Sequence, residues 1–350
     1  MRVIFYLNTK KQIHKTIVMK YLTASFFIFH IFTAESQITV SDMQLYGNVW
    51  LLNSYKHTAK NVVIENDAVI SYEKIKFLSR EEYTFDKNGL LLAKSIFNEW
   101  GKIALTYIYE YDATGKLIEA TLADEGKYLQ KRTEYKYNKD GKKIQELVYD
   151  NQDSLNSTIV YNYNSLGNLI SQKTYNKTNF LYKDIQYQHD DKGNIISAYS
   201  KKINVSASKP YLEIQKFNAK NRLIYKSFTE DDTLKWEYFA SFDKNDSLIY
   251  EEVKDGNGKL QSYSKLTFKK NKRIALKQYN TIPAEYGLET YYQYDKNGKL
   301  VTETLYTPNK EKLIYIRTYF YDEKGNWIYC IEGDNKSDTK IIYARTFGYY

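Results

Sequence analysis

Along most of the chain apolar and polar positions alternate with a period of two, and short polar clusters break the alternation at near-constant intervals. Five clusters share one register: YTFDKNGLL from Tyr83, YEYDATGKL from Tyr109, YKYNKDGKK from Tyr135, YNYNSLGNL from Tyr161 and YQHDDKGNI from Tyr187, 26 residues apart. The series continues more weakly at Gln215, Ala240 and Leu266 and strengthens at Tyr292 and Tyr319, with later steps of 28, 25, 26, 26 and 27 residues. Recurrence of this kind marks a repeat architecture, in which one unit of supersecondary structure is copied.

Each copy predicts strand, tight turn and strand. Side chains two apart, such as Tyr109 and Tyr111, lie on one face of a strand, where rings meet cross-strand neighbours. Asp or Asn then opens the turn by accepting a backbone N–H, and glycine three residues later takes positive φ. The turn residues are Asp86 with Gly89, Asp112 with Gly115, Asp295 with Gly298, Asp322 with Gly325, and the glycines Gly141, Gly167 and Gly193. The return strand begins with paired apolar residues such as Leu117-Ile118 and Leu169-Ile170, and the other half of each period holds a second, more variable polar turn.

Ten such copies over residues 83–339, a capping β segment over 37–82 and a closing strand over 340–350 predict an all-β chain of roughly 20–24 strands. Flat open sheets rarely exceed about 10 strands. The expected fold is therefore an antiparallel β-hairpin repeat meander coiled into a spiral, half-barrel or solenoid, each repeat touching mainly its neighbours.

Residues 1–36 read as an upstream extension plus a signal peptide starting at Met19, with the apolar run LTASFFIFHIF and small residues Ala34 and Ser36 before a cut at Gln37. An exported chain follows: periplasmic, extracellular or associated with the cell surface. The formal charge of +9 shrinks once the leader's lysines and arginine are removed, so the mature chain calls for neither nucleic acid nor an anionic membrane as partner. The one cysteine, Cys330, has no partner for an internal disulfide.

The recurring Tyr-x-Tyr-Asp-x-x-Gly pattern over about residues 83–330 resembles the YD-repeat (Rhs-like) family, in the short stand-alone exported form found in Bacteroidetes-type bacteria. The family's arginine after glycine is mostly replaced here, by Lys116, Lys142, Asn168, Asn194 and Lys299. The resemblance implies a secreted or surface β-repeat protein with a coiled hollow wall, as in Rhs toxin shells and teneurins.

No constellation for chemistry stands out, and the chain reads as a non-enzyme without cofactor or metal. Outside the leader only His57 and His189 remain, neither at metal-ligand spacing from a second soft ligand. The DKNG turns are too short for a calcium loop. Trp100, Trp236 and Trp327 are candidate ligand-facing aromatics, able to stack on sugar rings, and Lys269, Lys270, Lys272 and Arg273 form a candidate basic patch. The function expected is a monomeric binding or scaffold module for polysaccharide or an envelope protein, with no integral membrane span after signal removal. The alternatives are an outer-membrane β-barrel and a partner or remnant of a Rhs-type toxin shell; the barrel needs an apolar lipid-facing band.

Overall fold

The structure is a computed structural model that describes residues 40–43, 45–65, 68–203, 209–281, 286–334 and 337–350. The leader assigned to residues 1–36 lies outside them. The described residues form 22 strands, from β1 (Val49–Glu65) and β2 (Ala68–Phe85) to β22 (Lys340–Tyr349), every one antiparallel to its neighbours in sequence. One short 3₁₀ turn, Pro308–Lys310, interrupts the second-rim loops.

The meander does not end in two free edges. β1 pairs with β22 over Leu52↔Phe347, Tyr55↔Ala344 and Ala59↔Lys340, which closes the sheet into one barrel around a single axis. The expected spiral, half-barrel or solenoid is thereby corrected, and with it the coiled wall implied by the YD-repeat resemblance. The physical cause is a steady drift in register. Tyr109 lies opposite Ala120, and Ala120 opposite Thr133, not Tyr135. A shift of two residues per copy is a shear of about one residue per strand, which tilts strands by roughly 36–40° and curves the sheet at a constant rate. With about 4.8 Å between strands, the 22 strands close at a mean wall radius of roughly 20 Å. Closure also satisfies the N–H and C=O groups that a spiral would leave bare at its ends.

Strand twist has a fixed hand, so the direction of drift decides which face is concave. The face bearing Tyr109, Tyr135 and Tyr161 turns toward the lumen, and that bearing Ile108, Glu134 and Asn162 turns outward. Exposure agrees: lumen-facing Tyr135, Tyr187 and Tyr238 are 6–7% exposed, whereas outward Ile108 and Tyr199 are each 43% exposed.

The seam is reinforced at both rims. At the first rim, residues 40–43 and 45–48 strap across it. Val40 N–H donates to Gly89 O, Tyr46 N–H donates to Asn326 Oδ1 at 2.7 Å, and Tyr350 N–H donates to Asn48 O. Beneath the strap, Leu45, Val49, Leu52, Phe85 and Leu91 form an apolar core. Toward the second rim the β1–β2 hairpin runs past β22 with several register shifts. Tyr72 there stacks on His57, 5.0 Å between ring centroids, and meets Tyr329 edge-on, over the fully buried Ala59 and Ile342.

Candidate functional site

The repeat motif works as a clasp between successive copies. At the turn, Asp112 Oδ1 accepts the N–H groups of Thr114 and Lys116, and Gly115 at φ 84° donates its N–H to Asp112 O. Positive φ is the reason for glycine here; where the copy weakens, Asn221 (φ 67°) and Asp246 (φ 68°) take its place, the side chains best suited to that region. The second tyrosine of each strong copy reaches back to the copy before. Tyr111 Oη donates to Leu91 O, Tyr137 to Leu117 O, Tyr163 to Lys143 O, Tyr294 to Arg273 O and Tyr321 to Leu300 O, all at 2.7–2.9 Å. Over four of these rings lie the lysines that follow the positive-φ turn residue, glycine or Asn271: Lys116 over Tyr137, Lys142 over Tyr163, Lys272 over Tyr294 and Lys299 over Tyr321, 5.2–5.8 Å from the centroids. Asp86, Asp295 and Asp322 with Gly89, Gly298 and Gly325, and the glycines Gly141, Gly167 and Gly193, hold the equivalent first-rim turns. The second rim reuses the same chemistry, which the sequence reading passed over: Asn98, Asp124, Asp150, Asn176 and Asp255 each accept two backbone N–H groups.

The first tyrosines line the lumen with their hydroxyls tied to carboxylates one strand away. Tyr161 donates to Glu146, Tyr238 to Glu251 and Tyr319 to Glu303 at 2.6–3.1 Å. Burial, then the adjacent carboxylate, pushes these phenols above their ordinary range. Cations complete the belt. Lys226 meets the buried Glu213 at 2.9 Å, and Arg317 bridges Glu332 at 2.7 Å and Glu303 at 3.5 Å. The outer wall has its own network, in which Arg132 joins Glu119, Glu134 and Asp153.

The three tryptophans do not share a surface. Trp100 is exposed in a second-rim turn; Trp236 stacks on Phe228 in the wall, 5.8 Å between centroids. Trp327 is covered by the Arg345 guanidinium, 3.7 Å from its ring centroid. The basic run divides as well. Lys270 and Asn271 form a two-residue turn with both φ positive, Lys269 and Lys270 are exposed, Lys272 lies over Tyr294, and Arg273 lies over Tyr292 at 4.5 Å.

Two carboxylate pairs that the fold brings together are each held by a guanidinium, Glu303 with Glu332 by Arg317 and Glu119 with Glu134 by Arg132. Cys330 is buried in the wall, and its thiol is pushed up to about 12 by burial, far from a thiolate nucleophile. Among the described residues no group of three or more His, Cys, Asp or Glu is placed to hold a metal ion. The protein is a large, closed, antiparallel β-barrel.

No known family profile matches the chain, and no curated relative does; the YD-repeat assignment therefore lacks a sequence match as well as the coiled wall. Among solved structures, the chain is similar to the TcdB2-TccC3-Cdc42 crystal structure at 13% identity and a TM-score of 0.47, over 84% of this chain and 16% of that one. It is also similar to a porin-like protein from Bacteroides uniformis, at 11% identity and a TM-score of 0.29 over 87% of this chain and 99% of that one. A porin-like protein from Bacteroides vulgatus gives 9% identity and a TM-score of 0.24. None of these likenesses carries the functional reading, which rests on the geometry of the wall.

Proposed function

We propose that this protein is an exported barrel scaffold that stands in water and binds envelope material, polysaccharide or protein, through its rims and lumen. The observation that carries the reading is the outward face. A lipid-spanning barrel needs an apolar band about 25 Å tall on that face. Here that face carries the Arg132 network, Glu252 with Lys254 at 2.8 Å and Lys277 with Glu289 at 2.7 Å, all toward the second rim, where Asp153 and Asn309 of its turns join Arg132 and Glu289. On a lipid-facing wall an arginine or lysine costs about 2–4 kcal/mol at the bilayer midplane and about 0–1 kcal/mol near the interfaces. Closure favours the outer-membrane alternative, since a membrane barrel also needs a wall without edges, and so do exposed apolar residues on the outward face such as Ile108, Tyr199 and Ile214. No helix among the described residues is long and apolar enough to cross a membrane, which says nothing of strands.

Expression of residues 37–350 separates the two readings. The aqueous scaffold is expected to fold without detergent, to stay in the supernatant on ultracentrifugation, and to give small-angle scattering of a hollow particle. A chain that folds only in detergent or partitions into vesicles is a membrane barrel, and the proposal fails.

A further inference from the structure

Arg345 is a lumen-facing cation that the carboxylate belt leaves out. It projects from β22 on the face of Tyr343, whose cross-strand partners are Cys330 and Lys56. Its guanidinium carbon lies 3.7 Å from the Trp327 ring centroid, and its Nε is buried without an acceptor. The groups acting on it electrostatically are Tyr83, Cys330 and Tyr319, all neutral at physiological pH, and burial pulls its pKa down to about 10. Arg317, on the neighbouring wall, shows the ordinary solution, two carboxylates around one guanidinium. Lys56 stands diagonally across the seam, opposite Tyr343, with its ammonium 4.9 Å above that ring, and among the described residues it has no carboxylate within ion-pair distance. Two cations thus share one face, framed by Trp327, Tyr343 and Tyr83; the carboxylates on that frame, Glu81 and Glu332, accept the Tyr83 and Tyr343 hydroxyls and pair with Lys94 and Arg317 instead.

A buried guanidinium without an anion is unfavourable, because desolvation is not offset. Its planar fork matches the paired oxygens of a carboxylate, sulfate or phosphate, and an aromatic plate beneath it fixes the orientation. We propose that the seam of the barrel is an oxyanion-binding site, with Arg345 as the bidentate anchor and Lys56 as the second cation. It would take the charged group of a small solute or of an acidic polysaccharide entering the lumen. This deepens the scaffold reading and rests on the closed wall.

The test titrates the full chain with inorganic phosphate, sulfate and glucuronate, against chloride at equal ionic strength, reading tryptophan fluorescence and melting temperature. Saturable quenching with at least one probe is expected, absent in Trp327→Phe, weakened at least 10-fold by Arg345→Met and more mildly by Lys56→Met, and unaffected by Arg132→Met on the outer wall. Response to glucuronate alone identifies a polysaccharide carboxylate; response to phosphate or sulfate identifies a free solute. In anion-free buffer Arg345→Met is expected to melt above the wild type, since it removes an uncompensated charge. Equal responses to chloride and to all three probes, or full binding by Arg345→Met, overturn the site. If Arg345→Met fails to fold, the Lys56→Met titration and the Trp327 signal of the wild type decide it. Failure of the site with the seam crosslink described below intact leaves the barrel standing, so the two readings fail separately.

Discussion

At the scale of single residues, most of the recurring side chains are committed to holding one copy against the next. Tyr137 illustrates the economy of the motif: one ring receives Lys116 and one hydroxyl caps Leu117 O, so a single residue joins two hairpins. Replacing it by Phe keeps the ring and removes the bond, and the expected cost is about 1 kcal/mol, more if the carbonyl is left dry. Chemical denaturation of Tyr137→Phe against wild type measures it. His57 is the other residue with a definite consequence. It is 3% exposed with Nε2 unpartnered, and burial followed by the Lys74 charge lowers its pKa from 6.5. The unfolded chain therefore binds the proton more readily than the folded one. The contribution of neutral His57 is full above pH 6.5 and declines as pH falls from there toward the lowered value. Melting temperatures between pH 7.5 and 5 are expected to fall in the wild type and to fall less in His57→Phe.

At the scale of elements, the strands and first-rim turns were legible because each is set by local chemistry. The Asp-to-glycine spacing fixes the turn, and the period of two fixes the face. The apolar pairs divide as their strands demand, Leu117 6% exposed and Ile118 38%. The register shift beside each turn, between Glu110 and Tyr111 for example, was not legible; it depends on how the bulged strand meets its neighbour. The seam between β1 and β22 is the element that distinguishes a barrel from a coil. Tyr55 and Ala344 are direct partners there, close enough for a disulfide when both are replaced by cysteine. In a Cys330→Ser background, Tyr55→Cys with Ala344→Cys is expected to form an intramolecular crosslink under mild oxidation, seen as faster migration on a non-reducing gel. A chain that crosslinks only between molecules has open ends, and the closed fold is wrong.

At the scale of the whole molecule, both surfaces of the wall carry charge, the lumen in a belt of tyrosine, carboxylate and cation, the outside in partly buried ion-pair networks. The detergent-free folding of residues 37–350 is the prediction that belongs here, because no single side chain decides between water and lipid. The site is also a property of the closed molecule. Arg345, Lys56 and Tyr83 come from opposite ends of the chain, and the strap bond from Tyr46 to Asn326 spans 280 residues. Trp327 was legible as a residue that needs a partner; that its partner is a guanidinium without an acid was not, since nothing near it in sequence implies it.

Local chemistry by itself determined the strand and turn period, the all-β class and the dedication of the tyrosines and turn acids to structure, because those follow from contacts within one or two hairpins. Only the tertiary structure decided that the ends meet. Closure is the sum of a two-residue drift repeated in every copy, and a small change in that drift would leave a spiral with the same strands and the same turns. The same sum chose which face became the lumen, and so set Arg345 and Lys56 on one face with no acid of the described residues paired to either.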